Sequence, residues 1–221
     1  MEDKYPISLA EMRERYLNLY SGAVNDVLRF EYGVHGALPS HYDPLHDDMK
    51  MAGRAFTLKG APDITTDEEM ERRAEMLEAI PTDSVAVWDC TGDRVTAQWG
   101  EVMTMAARKR GCRGAVVNGV RDTRSILEQG FPVFNQYRTN TGMLGRFRLY
   151  YWDKPVRIGE VVVHPADWIF GDIDGVLSVP GDIAHEVLVK AERIVDDEEG
   201  IRDMVQKGMK PTKVVEKGGY F

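Results

Sequence analysis

Residues 99–134 read WGEVMTMAARKRGCRGAVVNGVRDTRSILEQGFPVF, and the order of signals within them decides the fold. Gly100 opens a run in which Val102, Met103, Ala106 and Ala107 share one face at helical spacing. Gly111 and Gly114 close that run. The apolar segment Ala115, Val116, Val117 is short enough for a buried strand. Gly119 follows, then Arg121 and Asp122 at the strand's end, where loops of α/β proteins commonly carry chemistry. A second helix is predicted from Thr123 to Gln129, with Gly130 just after it and Pro132 as its stop. Helix, strand, helix and strand in close succession point to an α/β fold.

Asp122 has two readings at this point. Its side chain is placed to N-cap the helix that follows, with Arg121 a surface charge. Alternatively, the pair is a cation and a carboxylate held side by side for chemistry.

Outward from this stretch, Leu9, Met12, Tyr16, Leu19 and Tyr20 predict helix over residues 9–31. Gly22 interrupts it, and a second pattern from Val24 to Phe30 ends at Gly33. Residues 36–49, with Pro39, Pro44 and three aspartates, read as loop. Ala55 to Leu58 is strand-like, Asp67 to Ala79 is an amphipathic helix stopped by Pro81, and Ser84 to Trp88 is a strand ending at Asp89. Short strands are predicted at Val156–Val163, Trp168–Phe170 and Val176–Val179. Ile183, Val187, Ala191 and Ile194 mark another amphipathic helix. The acidic run Asp196 to Glu199 and a further helical stretch through Ile201, Met204 and Val205 come next. No internal repeat or linker is visible, so residues 1–221 read as one domain, its core at about 5–205 and residues 207–221 a peripheral tail.

Composition excludes several classes. A chain of 221 residues with 43% hydrophobic and 29% charged residues is long enough for a proper core. No apolar run approaches the roughly 20 residues that cross a bilayer, and MEDKYPIS does not read as a signal peptide. A net charge of −8 disfavours nucleic-acid binding, which needs a basic footprint. The basic cluster Arg108-Lys109-Arg110 reads instead as a solvated helix end complementing the dipole. Cys90 and Cys112 lie in apolar surroundings and read as free thiols of a cytoplasmic protein.

The central stretch resembles the RraA-like family, which includes 4-hydroxy-4-methyl-2-oxoglutarate/4-carboxy-4-hydroxy-2-oxoadipate aldolases. The resemblance rests on Gly100-Glu101, the turn from Ala107 to Gly114, Arg121-Asp122, and Gly130 to Phe134. It extends to residues 21–28 (SGAVNDVL), residues 52–57 (AGRAFT), and Gly171-Asp172-Ile173-Asp174-Gly175-Val176 with Pro180. Order and spacing agree over roughly residues 5–205. Three features depart from the family pattern. The interval from Gly111 to Arg121 is one residue shorter, with Asn118-Gly119-Val120 in place of Asp-Gly-x-x. Pro165-Ala166-Asp167 replaces Pro-Gly-Asp, and residues 135–148 match only loosely.

The resemblance implies a layered α/β/β/α sandwich, a homotrimer or homohexamer, and cleavage of a 4-hydroxy-2-oxo acid to pyruvate, with oxaloacetate decarboxylation as a side activity. Such cleavage must stabilise an enolate, through a lysine Schiff base or a divalent metal. Lys109 lies between two arginines on an exposed turn, a poor place to desolvate an amine, so the metal route suits this chain better. Asp122 is then the ligand for Mg²⁺ or Mn²⁺, with water completing the shell. Arg121 faces the keto oxygen, and the helix start at Gly100, Glu101, Val102 and Met103 cradles the substrate carboxylate. The resemblance implies that a metal-bound water, assisted by carboxylates, removes the C4 hydroxyl proton. Glu101 aligns with one of them, and Glu198 or Glu199 of a neighbouring subunit matches a second by position.

Other acids and bases weigh less. Asp172 and Asp174 have metal-like spacing but precede Gly175, where a hairpin turn is the ordinary role. Asp89 at a strand end is a further candidate. His35, His41, His46, His164 and His185 form no metal-ligand spacing. Tyr137, Arg138 and Arg146 could meet a distal carboxylate or simply lie on the surface. The competing class is a regulator like the family members that bind and inhibit ribonuclease E. Those keep the Arg-Asp pair, and Glu101 in place of a second glycine favours the enzyme. A methyltransferase is disfavoured, since no glycine-rich nucleotide loop follows the first strand.

Overall fold

A computed structural model describes residues 5–220. Its helices are α1 (Leu9–Leu17), α2 (Ser21–Tyr32), α3 (Glu69–Ala79), α4 (Glu101–Lys109), α5 (Thr123–Glu128), α6 (Ala184–Gln206) and α7 (Pro211–Glu216). The strands are β1 (Asp43–Pro44), β2 (Met51–Pro62), β3 (Ser84–Asp89), β4 (Gly114–Val120) and β5 (Val133–Arg138). They continue with β6 (Phe147–Trp152), β7 (Val156–Ile158), β8 (Val161–Val163), β9 (Trp168–Asp172) and β10 (Gly175–Val179).

The main sheet runs β1-β5-β4-β3-β2-β9-β10, and β2 is its hinge. Residues Arg54–Lys59 of β2 pair in parallel with β3. The other edge is shared: residues 51–54 pair with β9 and residues 58–62 with β6, both antiparallel. A register shift between Lys59 and Gly60 separates the two patterns, as a bulge does where a strand bends.

Side-chain alternation turns this one sheet into two layers. Met51, Ala55, Val85, Val87, Val116 and Phe134 face inward and meet Ile169 and Val176 from β9 and β10. The opposite faces of β2, β3 and β4 (Phe56, Leu58, Ala86, Trp88, Ala115 and Val117) pack in one cluster with Met76, Ala107 and Ile126 of α3, α4 and α5. Trp168, Phe170, Leu177 and Val179 turn outward against α1, α2 and α6. The result is the α/β/β/α sandwich. Each fully buried aliphatic or aromatic side chain in these layers contributes about 1.5–3 kcal/mol, before the cost of ordering the chain.

Several local expectations change. Gly22 lies within α2; the break falls at residues 18–20, where Asn18 caps α1 and Tyr20 precedes α2 in extended conformation. The predicted loop 36–49 contributes β1, paired with β5 through Asp43 and Asn135. Strand β2 is three times longer than its apolar centre, because pairing on both edges organises its polar ends. Residues 156–163 form a separate hairpin, β7 on β8. Strand β6 is an addition to the predicted elements, although its sequence FRLYYW, four aromatics with one charge, has the composition of a strand. The acidic run at residues 196–199 does not end a helix, for α6 passes through it as one 23-residue helix. Within the described part of residues 207–221, α7 buries Val214.

Candidate active site

The site begins with a close approach. Segment 97–99 lies alongside the end of β4, with Trp99 bridged in parallel to Val120. Gln98 N–H donates to Gly119 O at 3.0 Å, Arg121 N–H donates to Trp99 O at 3.0 Å, and Gly119 N–H donates to Gln98 Oε1 at 2.7 Å. A Cβ at Gly119 would stand 2.1 Å from the Thr96 carbonyl oxygen, so glycine is required here. Asp93 shapes the loop beneath by accepting from the backbone N–H groups of Val95 and Thr96. Trp99 is buried, stacks on Phe131 at 6.1 Å, and donates Nε1–H to Thr104 Oγ1 at 2.8 Å. These contacts carry the N-terminus of α4 to the end of β4.

There Asp122 behaves differently from a helix cap. It precedes α5 with φ 56°, in the left-handed region, and its side chain makes no capping bond to that helix. Its Oδ2 instead accepts from the Glu101 backbone N–H at 3.4 Å, at the start of α4. Its Oδ1 lies 3.3 Å from Arg121 Nε. The cap reading of Asp122 is therefore corrected: the carboxylate serves the neighbouring helix start and the arginine. Gly100 makes room for it, since a Cβ there would come within 2.8 Å of Asp122 Oδ2. Both side chains remain partly open to solvent, Arg121 at 44% and Asp122 at 38%.

A cavity of about 330 Å³ opens over this pair, lined by Gly100, Glu101, Val102, Met103, Arg121 and Asp122 among others. The first-turn N–H groups of α4 have no helical acceptors, so this wall is favourable to an anion. The carboxylate of Asp122 keeps unfilled lone pairs at the same mouth, with Glu101 beside it. One or two carboxylates with water filling the rest is the donor set a magnesium-type ion takes, so these residues fit such an ion. Among the described residues, no group of three or more His, Cys, Asp or Glu side chains comes together as a metal cage.

Arg73 is the lining residue that sequence reasoning missed. Its Nε donates to Glu69 Oε1 at 2.8 Å, while its buried Nη2 has no hydrogen-bond acceptor among the described residues. Glu69 is fully buried and also lies 4.0 Å from Arg148 Nε. Two guanidinium groups around one carboxylate leave a positive wall beside the cavity. In sequence, Arg73 was one charge on a charged helix; only its i,i+4 relation to Glu69 was available as a signal.

The remaining candidates lie elsewhere. Asp172 accepts from Ser21 N–H and Oγ, both at 2.7 Å, and from Asp174 N–H, the structural role its turn suggested. Tyr137 donates to Thr96 O and Arg138 to Leu45 O, and Arg146 is exposed. Asp89 lines a different cavity. Glu198 binds Arg202 of its own helix at 2.8 Å, and Glu199 is exposed. Burial and the nearby Glu198 carboxylate push the Tyr20 hydroxyl up. These acids lie on α6, whose buried face packs against α1 and α2, and neither lines the Arg121 cavity of its own chain.

Fold and site together define an α/β/β/α protein with a pocket where an arginine and a carboxylate meet a helix start. The chain belongs to the RraA-like family: the family description, Aldolase/RraA, matches residues 21–178. It is 31% identical over 207 residues to protein DlpA of Legionella pneumophila, covering 91% of this chain but only 32% of that longer protein. It is 30% identical over 168 residues to a Halalkalibacterium halodurans protein named "Putative 4-hydroxy-4-methyl-2-oxoglutarate aldolase", covering 73% of this chain and 75% of that one. A solved structure described as one of the "novel cellulases from microbes associated with the gut ecosystem" superposes with a TM-score of 0.86 at 42% identity, covering 90% of each chain. No helix among the described residues is long and apolar enough to cross a membrane.

Proposed function

We propose that the chain is a lyase that cleaves a 4-hydroxy-2-oxo acid to pyruvate and a second carbonyl compound, with Asp122 holding Mg²⁺ or Mn²⁺. The observation that carries this reading is the Arg121–Asp122 pair set against the start of α4 across Gly100. The substrate carboxylate lies against the N–H groups of Val102 and Met103, where the helix dipole favours negative charge. A bound divalent ion supplies Lewis acidity toward the keto oxygen.

The chain's own residues account for the rest. Glu101, at the cavity mouth, takes the C4 hydroxyl proton. The freed electron pair forms the new C4 carbonyl as the C3–C4 bond breaks, the electrons of that bond form the C2–C3 double bond, and the C2 carbonyl π electrons move onto its oxygen. Arg121 stabilises this developing enolate charge more strongly than the ground-state ketone. Proton return to C3 completes pyruvate. Loss of CO₂ from oxaloacetate generates the same enolate, so decarboxylation is expected as a side activity. Arg73 meets a second, distal carboxylate of the substrate. A neighbouring copy in a trimer or hexamer supplies Glu198 or Glu199 as the second acid.

The test is a coupled pyruvate-release assay on a panel of 4-hydroxy-2-oxo acids and oxaloacetate, with Mg²⁺, Mn²⁺ or EDTA. Metal-dependent release that disappears in Asp122→Asn supports the reading. Asparagine keeps the left-handed backbone preference while removing the charge, so a folded but inactive variant isolates the ligand role. Wild-type turnover in that variant overturns the metal assignment. Absence of release from every substrate tried moves the chain to the non-catalytic, regulatory branch of its family.

A further inference from the structure

A second cavity, of about 410 Å³, lies at the carboxyl ends of the parallel strands and shares no lining residue with the Arg121–Asp122 pocket. Its floor is a departure from the core pattern. Thr57, Val87, Val116 and Phe134 form one register row across β2, β3, β4 and β5 on the inward face. Two residues further along each strand, alternation again points inward and calls for apolar side chains. The chain instead places Lys59, Asp89, Asn118 and Gln136 there, and all four line the cavity.

The row is ordered rather than frayed. Lys59 Nζ donates to Asp89 Oδ2 at 2.6 Å, and Asp89 also accepts from the N–H groups of Thr91 and Arg157. Asn118 Oδ1 accepts from Tyr42 OH at 2.8 Å and from Gln136 Nε2 at 2.9 Å. The Asp89 side chain is only 8% exposed. A fixed polar floor at core-facing positions, beneath an open cavity, presents oriented hydrogen-bonding groups of the kind that line small-molecule sites. In open α/β sheets, this carboxyl end of the strands is also where ligands bind.

The lining chemistry names the ligand class. Two cations, Lys59 and Arg157, face one carboxylate, Asp89, which already neutralises Lys59. Arg157 stands at the rim with its guanidinium largely in water, 3.6 Å from the exposed Glu160. Asn118 Nδ2 also donates to Asp93 O at 3.1 Å, and each of the Asn118 and Gln136 amides keeps one N–H for a hydroxyl or carbonyl oxygen. We propose that this cavity is a second binding site, taking a small hydroxy or oxo acid with its carboxylate on Arg157 and its oxygen substituents on the Asn118–Gln136 row.

Calorimetric titration with L-malate at constant ionic strength tests this, alongside inorganic phosphate and glycerol. The wild-type chain and Asp122→Asn are expected to bind malate equally, because the site is separate from the Arg121 pocket. Arg157→Ser and Gln136→Leu should each weaken binding about tenfold, with unliganded melting temperatures near that of wild type. These positions are chosen because neither change leaves a buried charge without its partner. Loss of binding in Asp122→Asn with retention in Arg157→Ser overturns the proposal, since it places malate at the first pocket. Failure of the wild type to bind malate below about 10 mM overturns it as well. Phosphate binding as tightly as malate overturns the assignment of hydroxyl recognition to the amide row. None of these readouts depends on lyase activity.

Discussion

A methyl group on Gly100 would stand 2.8 Å from Asp122 Oδ2. This spacing ties two segments 22 positions apart into one pocket, and it makes a glycine without a left-handed φ indispensable for reasons of space. Gly100→Ala is therefore expected to fold normally but to push the carboxylate away from the start of α4. A displacement of this size costs about 100-fold in kcat/KM. Kinetics on the purified variant, with circular dichroism to confirm the fold, check the expectation; unchanged turnover would show that the position of Asp122 is unimportant.

Arg121→Lys keeps the charge but loses the planar fork. The expected loss is about 100-fold and falls mainly on kcat, because the enolate oxygen carries its charge only near the transition state. A variant altered only in KM would make Arg121 a ground-state binder.

Arg73 gives a selectivity prediction. Removing it alone takes the closer of two cations from the buried Glu69 carboxylate and leaves only Arg148 at 4.0 Å, so the informative variant is Glu69→Gln combined with Arg73→Met. KM should rise about tenfold for 4-hydroxy-2-oxoglutarate and stay level for 4-hydroxy-2-oxopentanoate, which lacks the distal carboxylate. An equal change on both substrates would remove Arg73 from recognition.

The neighbouring-subunit acid is testable by complementation. Full-length chains carrying Glu198→Ala and Glu199→Ala, co-expressed with Asp122→Asn chains, should recover part of the activity that each population lacks alone. Interfaces then combine an intact Arg121–Asp122 pair with an intact α6. Activity in a demonstrably monomeric sample would sink the shared site.

Ala166 supplies a stability prediction. It occupies the position where the family pattern has glycine, and its φ is 67°. A β-carbon in that conformation is strained, so Ala166→Gly should stabilise the chain by about 0.5–1 kcal/mol despite the added freedom of the unfolded state. A urea midpoint shifted upward at constant slope would show it.

Local chemistry made much of this protein legible before its structure. The periodicity of Val102, Met103 and Ala106, the apolar run at Ala115–Val117 and the turn at Gly130 act over a few residues, and they appear as α4, β4 and the end of α5. The adjacency of Arg121 and Asp122 is covalent, so their joint candidacy needed no fold. Tertiary structure decided where those groups point and what they meet. Asp122 turned from its own helix to the start of α4 because Gly119 lets segment 97–99 lie against β4, a contact between backbones that no local pattern encodes. Arg73 joined the pocket, and Asp89 left it for the Lys59–Asn118–Gln136 row, because strand register brings distant positions together. Alternation tells which face a strand residue takes, but only pairing across strands determines its neighbours.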